Sequence, residues 1–511
     1  MNIVKSLLFV AALSLFLSGI TAVWSVQSAS TTEDLDPLVD ITVTFELQAI
    51  RSLEKMDVKN HETEWIDFFG KPDFYVKVFI NGREFTSPIW RNTRYVYNPD
   101  WSVTVDVPDD QEFVNITIEL WDWNLGLDKL CDLSENLGEE PIRNSYTADL
   151  FYSIKSGQWF GDDFSNLYSV IPDLSGYGRL NGCDDGSFIQ HDRDCELWFT
   201  IYQNDYDGDG IPYWTEVNVF HTDPTVDNTG EDADQDGVPI EWEWKWGHFF
   251  YWESHEGMPV DGWLYDPFIW EDHVTLDPDG DALTNVEEYL TSQWGSDPFR
   301  KDLFIELDQM ETAPNGEKCI LPEGSKELLR TAYDRRNVVY HLDDGTWDNS
   351  GSEIIPFDES TSSRELQTLY WNYFLHGDLN NWRRGVFHYA LVVYDAGFSG
   401  FVFDNDAQQI STSWVDKNII PFILEGRDVA YASVFMHETG HTLGFNYRIP
   451  GHDKNSYYPW QLGFWKNGNY KSCMNYRYTY RLVDYSDGSH GKNDYDDWDT
   501  MDFYNFQQNF D

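Results

Sequence analysis

Apolar and polar residues alternate along residues 40–50 (DITVTFELQAI), 74–80 (FYVKVFI) and 113–123 (FVNITIELWDW). A period of two predicts strands with one face buried, and Asn81-Gly82 after the second run predicts a tight turn. The stretch from residue 37 to 204 therefore reads as an all-β sandwich, with residues 146–198 completing it. Beyond residue 300 the pattern changes. Apolar runs at 302–310, 338–342 and 386–396 predict strands, and helical spacing at 325–336 and 364–375 predicts helices, the first capped by Ser325. Val429 to Leu443 lacks Pro and repeats apolar residues at helical spacing, with Asp428 as N-cap and Gly444 as the residue that ends the helix. A last short helix is predicted over 501–508. Strands and helices together give residues 300–511 an α+β expectation.

Residues 205–299 follow neither period. They are punctuated by Asp and Gly in a fixed order: Asp205-Tyr-Asp207-Gly-Asp209-Gly210 with Glu216 at the twelfth position, then Asp232-Ala-Asp234-Gln-Asp236-Gly237 with Glu243. Carboxylates at alternate positions, a Gly for the sharp turn and a closing Glu match a calcium loop. A third copy, Asp277, Asp279 and Asp281 with Glu288, has Ala282 where the turn Gly belongs. The expectation is a region clamped by calcium, with little apolar core. Trp242 to Trp252 is unusually aromatic for such a region and suggests no specific function.

The acidic excess has three readings, bound calcium, a salt-adapted surface or plain solubility, and the ordered Asp patterns favour calcium for their fraction. The chain has 511 residues, 89 acidic and 34 basic, for a formal net charge of -55. No cluster of Lys or Arg is present, which argues against a nucleic-acid partner. Residues 1–29 carry Lys5 and an apolar run from Leu7 to Leu17, as in a secretory signal cleaved near Ala22 or Ala29, or an uncleaved anchor. Either places the body of the protein outside the cell, secreted or at the surface. Five Cys suit an oxidising compartment without forming a disulfide scaffold. Cys183 and Cys195 are the nearest pair in sequence, and the partners of Cys131, Cys319 and Cys473 cannot be read.

The helix near the C-terminus holds the most specific chemistry. His437 and His441 lie four apart in His437-Glu438-Thr439-Gly440-His441, so both imidazoles share one face and can reach one ion. Glu438 adjoins the first, where a carboxylate can take a proton from a water acidified by zinc. These residues, with Gly444 and the later Ser472-Cys473-Met474-Asn475-Tyr476, resemble the metzincin zinc proteases, whose metal helix is followed by a methionine turn. The resemblance implies zinc on His437 and His441, Glu438 as catalytic base and acid, Met474 beneath the metal, and Tyr476 as a ligand or hydrogen-bond donor. The family's third ligand falls on Tyr447, which departs from His or Asp. His452 and Asp453, after the Pro450-Gly451 turn, are the favoured candidates, and sequence does not separate them. His341, His376 and His388 lack paired ligands and read as structural. Asp484, Asp487 and Asp494 form either a further calcium site or a solvated loop.

The N-terminal run, with Pro99-Asp100-Trp101 and residues 119–130 (ELWDWNLGLDKL), resembles the calcium-dependent membrane-binding sandwich of the protein kinase C conserved-region-two type. That resemblance implies loop calcium ligands at Asp67, Asp73, Asp122, Asn124 and Asp128. The segment His221-Thr222-Asp223-Pro224 resembles thrombospondin type 3-like spacers. The resulting expectation is a multidomain zinc endopeptidase acting on protein or peptide, stabilised by calcium and able to reach a membrane surface. The alternative is a calcium-dependent adhesion protein whose metzincin-like domain turns over weakly or not at all.

Overall fold

The computed structural model describes residues 41–52, 71–108, 111–124, 126–133, 146–154, 157–162, 178–182, 195–252, 259–334, 336, 338–445, 448–449, 451–454 and 457–505. The signal or anchor expected at 1–29, Asp67, Cys183 and Tyr447 lie outside them. Among the described residues no helix is long and apolar enough to cross a membrane.

Two antiparallel sheets form the N-terminal unit. In one, Ile41–Ser52 lies between Tyr95–Val107 and Cys195–Gln203, with Gly178–Asn181 at the edge. The other runs Arg83–Thr86, Phe74–Ile80, Phe113–Asp122, Ala148–Ser153 and Trp159–Gly161. Alternation along the strands sends Val43, Phe45 and Leu47 from one sheet and Val76, Val78, Ile116 and Ile118 from the other into one core.

The acidic region does have an apolar core, contrary to the sequence expectation. Helix Ile240–Gly247 buries Trp242, Trp244 and Trp246. Trp244 packs with Ile211, Phe220 and Ile240, and the other two tryptophans pack with Val238 and Tyr265. The run of tryptophans thus supplies the hydrophobic burial that acidic turns cannot. All three acidic loops turn in the left-handed region, at Gly210, Gly237 and Ala282, the last with φ +80° despite its Cβ.

The C-terminal unit is a mixed sheet in the order Val339–Asp343, Asp302–Met310, Phe387–Val393, Ala407–Ser411, Gly400–Asp404. The first four strands run parallel and the edge strand Gly400–Asp404 antiparallel. Helices Glu323–Asp334 and Arg427–Thr442 contribute to the core on one face, and Ser363–Leu369 with Tyr370–Phe374 to a second, aromatic cluster. Parallel strands require crossover connections, so strands and helices interleave in an α/β manner where α+β was expected. Local ends also differ. The helix begins at Arg427 behind Gly426, with Asp428 in its first turn. Ser325 lies inside helix Glu323–Asp334, where its hydroxyl donates to the Asp428 carbonyl at 2.8 Å. Residues 501–505 are not helical.

Buried charge joins the sandwich to the C-terminal unit. Arg51 reaches Glu196 at 3.6 Å, Glu327 at 3.3 Å, and Asp334. Arg179 donates to Glu196 at 2.7 Å and to the Asp334 carbonyl.

Candidate metal centre

Helix Arg427–Thr442 is buried along nearly its whole length, so its polar residues face fixed partners. His437 Nδ1 donates to the Cys473 carbonyl at 2.9 Å, and His441 Nδ1 to the Phe445 carbonyl at 2.7 Å. A carbonyl only accepts, so both Nδ1 atoms carry hydrogen and both Nε2 atoms have a lone pair to offer a cation. Gly444, at φ +87°, turns the chain so that Phe445 can return beneath His441.

Asp453 faces both rings. Its Oδ1 is 3.2 Å from His437 Nε2 and its Oδ2 is 3.3 Å from His441 Nε2. A tetrahedral ion with donor bonds of about 2.0 Å separates its donors by about 3.3 Å, so these spacings fit zinc. Asp453 Oδ1 is also buried without a well-aligned hydrogen-bond donor, which is costly unless a cation completes it. His452, the other candidate, points elsewhere: fully buried, it places Nε2 2.9 Å from Asp497 and stacks on Tyr470. Gly451 and Asp453 both have positive φ, +105° and +47°, and this doubled turn separates the directions of adjacent side chains.

The electrostatics show the same demand for positive charge. Burial opposes a charge on His437, yet the adjoining Asp453 and Glu438 raise its pKa to about 9. Burial and the His437 charge lower His441 to about 4. Asp453 falls to about 2 because the two histidines outweigh its burial. The raised His437 and lowered Asp453 values share one cause, a carboxylate facing an imidazole, and a divalent cation there would neutralise the same carboxylate while taking the Nε2 lone pairs. Glu438 rises to about 7, chiefly through burial, with His437 opposing and Asp453 adding to the rise.

The surroundings are fitted closely. A Cβ on Gly440 would lie 2.7 Å from Met474 Sδ, and one on Gly400 would lie 2.8 Å from Glu438 Oε1. Met474 is fully buried under the helix, and its carbonyl accepts from the Asp453 amide at 3.3 Å. The Tyr476 ring stacks on His437 at 5.8 Å, and Tyr457 stacks on Tyr476 at 4.7 Å. Burial and the neighbouring Asp453 push the Tyr476 phenol well above its ordinary range. Tyr457, in the loop between Asp453 and Met474, was not singled out in the sequence. Nothing local marks it, since its contact is with a ring that lies beyond Met474 in the chain.

The three acidic loops also form. Asp205, Asp207 and Asp209 converge, as do Asp232, Asp234 and Asp236. In each loop the first Asp accepts backbone amides: Asp205 from Gly208 and Gly210, Asp232 from Gly237, and Asp277 from Gly280. Both carboxylate oxygens of Asp207, Asp234, Glu243 and Glu288 are buried without hydrogen-bond partners, as are Glu216 Oε2 and Asp279 Oδ2. Asp281 accepts the Asp302 amide at 2.6 Å, tying the third loop to the first strand of the C-terminal sheet. Near the C-terminus Asp487 and Asp494 gather around His490, while Asp484 instead accepts the Trp498 indole.

At the sandwich tip the expected ligands bind one another and the protein. Asp122 Oδ1 accepts the Asp73 amide at 3.0 Å, and Asp122 Oδ2 accepts the Asn124 side chain at 3.1 Å. Asp128 accepts from Tyr75 and from the Asn124 amide. Asp73 pairs with Arg91 at 3.1 Å, a cation that sequence reasoning had not weighed. Outside these sites, His341 pairs with Asp302 and His388 Nδ1 lies 2.8 Å from the Thr442 hydroxyl, as structural histidines do. Cys131, Cys319 and Cys473 are buried and free.

Residues 41–143 match the C2 domain family. Among curated proteins, Perforin-1 from Homo sapiens is 34% identical over 86 residues, which is 16% of this chain and 15% of that protein. The chain therefore spans a small fraction of that relative. Among solved structures, one described as a C2 domain is 13% identical at a TM-score of 0.18, covering 32% of this chain and 98% of the other. A C2 domain protein from Ramazzottius varieornatus is 12% identical at 0.19, covering 32% and 88%. The C2 match and the two antiparallel sheets agree with a β-sandwich at the N-terminus.

Proposed function

We propose that this chain is a zinc-dependent endopeptidase mounted on a calcium-clamped scaffold and brought to membrane surfaces by its C2 region. The observation that carries the reading is the convergence of Asp453 with His437 and His441 beside the buried carboxyl of Glu438. His437 and His441 would hold zinc through Nε2, and Asp453 through its carboxylate. When bound, zinc would acidify a water and polarise a peptide carbonyl. Glu438, its pKa raised to about 7, would accept the proton of the attacking water and return it to the leaving amine. Tyr476 would donate a hydrogen bond to the oxygen that gains charge. Gly400, on the edge strand, leaves Glu438 room that any larger residue would fill.

A second reading is a calcium-dependent binding protein with no turnover, favoured by the C2 match at 41–143. One experiment separates the two. Zinc content and cleavage of a mixed peptide library are measured for the wild type and Glu438→Gln. The peptidase reading expects both chains to hold zinc and only the wild type to cleave. Zinc without cleavage in either chain supports the binding reading. Sedimentation with anionic vesicles, with and without calcium, tests the membrane role, which Asp122→Asn is expected to weaken.

A further inference from the structure

The second acidic loop contains more negative charge than one calcium balances. Besides Asp232, Asp234, Asp236 and Glu243, the carboxylate of Glu271 approaches from a distant segment, and His273 comes with it. One divalent ion offsets two of these five charges. Among the described residues no Lys or Arg forms an ion pair with any of the five, whereas His273 pairs with Asp236 and Glu243. Leaving such charges buried and uncompensated is strongly unfavourable.

The geometry points to a second ion. Asp236, Glu243, Glu271 and His273 each direct one donor atom into a common space, all within 4.8 Å of one another. His273 Nε2 is 3.3 Å from Asp236 Oδ2 and 3.8 Å from Glu243 Oε1, with the side chains of all three fully buried. Both oxygens of Glu243, Glu271 Oε2 and His273 Nε2 have no hydrogen-bond partner. The imidazole is held edge-on to Tyr265 and Trp242, with ring centres 4.8 and 5.7 Å away, so it cannot easily turn aside. Its Nδ1 lies 2.8 Å from the Asn285 amide nitrogen, while Asn285 Oδ1 has no partner. A half turn of that amide gives Oδ1 the Nδ1 hydrogen and leaves the Nε2 lone pair facing the carboxylates.

We propose that Asp236, Glu243, Glu271 and His273 hold a second divalent cation, of the first-row class represented by zinc, beside the calcium of the second loop. Three carboxylates and one imidazole suit a four-coordinate ion, and the 3.3 Å spacing matches a tetrahedral edge of about 3.3 Å. Calcium selects all-oxygen ligands, whereas an imidazole favours a borderline ion, so one loop can sort two metals. Glu243 has an oxygen for each, and the pair of ions would pin residues 271–273 to helix Ile240–Gly247.

The test uses the full-length chain carrying His437→Ala and His441→Ala, so that zinc held by the long helix does not contribute. The outcome is then independent of the peptidase reading. The chain is stripped with chelator and returned to a large excess of calcium with stoichiometric zinc. We expect one zinc per chain, and X-ray absorption to show a single imidazole within a shell of oxygens. Adding His273→Gln removes that zinc and leaves the calcium content unchanged. Full displacement of zinc by calcium, or a zinc shell without nitrogen, overturns the proposal. So does undiminished zinc in the folded His273→Gln chain. The absorption result needs no variant at His273 and stands if that variant fails to fold.

Discussion

Asp453 Oδ1 lies 3.2 Å from His437 Nε2, buried and without an aligned hydrogen-bond donor. A histidine and a carboxylate held this way leave room for one cation between them. If Asp453 is the third donor, Asp453→Ala abolishes tight zinc binding, while His452→Ala keeps one zinc per chain. His452→Ala lowers the melting temperature nonetheless, because Asp497 loses a buried partner and keeps the Tyr470 hydroxyl. Metal analysis after dialysis reads the first effect and thermal unfolding the second. Zinc lost from folded His452→Ala but kept in Asp453→Ala would reverse the assignment.

Gly440 has no room for a side chain. A methyl there would meet Met474 Sδ at 2.7 Å and Phe445 at 2.8 Å. Gly440→Ala is expected to destabilise the fold by about 1–3 kcal/mol, in spite of alanine's better helix propensity. Urea unfolding measures it. Unchanged or increased stability would mean that Met474 moves aside freely.

Arg51 is the buried cation shared by Glu196, Glu327 and Asp334. Arg51→Ala takes the cation from Asp334 and leaves Glu196 with Arg179 and Glu327 with the Tyr97 hydroxyl, and is expected to cost about 3–5 kcal/mol. The loss should be largest for cohesion between the sandwich and the C-terminal unit, read by limited proteolysis along with denaturant melts. A cost below about 1 kcal/mol would indicate that solvent reaches these groups, as at a surface pair.

The acidic loops predict a pH dependence of defined sign. Burial first, then nearby carboxylates, raise Glu243 from 4.5 to about 9, and burial is the main cause that raises Glu216 to about 7. A carboxyl whose folded pKa exceeds its unfolded value favours folding in its protonated form. That stabilisation is full below 4.5 and disappears as pH rises through about 7 and then about 9. In chelator the melting temperature should therefore fall across that window, and saturating calcium should flatten the fall. Glu243→Gln should remove the upper part of the dependence. A calcium-free melting temperature that rises over the window would contradict the loop assignment.

Much of the candidate site's local geometry is legible without coordinates. Two histidines four apart share a helix face by periodicity alone, and aspartates at alternate positions with Gly form a loop by turn geometry alone. The strand at Asp302–Met310 was found to the residue, since an apolar run bounded by charge has few other uses. What failed was also physical. Helix ends depend on competition between neighbouring caps, and Gly426, without a side-chain cap, stands where Asp428 was expected. The sequence implies little apolar core in the acidic region because its Trp run has no period of its own and its partners, such as Tyr265 and Phe220, come from other segments.

By itself the sequence determined which residue types could meet: a helix with two histidines four apart, three acidic loops and an alternating sandwich. Only the tertiary structure sets Asp453 against His437 and His441 and His452 against Asp497, with left-handed turns at Gly451 and Asp453 between the two directions. It alone brought His273 and Glu271 to the second loop and Arg91 to Asp73. Such meetings depend on chain reversals and on burial against distant segments, neither of which has a period that a one-dimensional reading can detect.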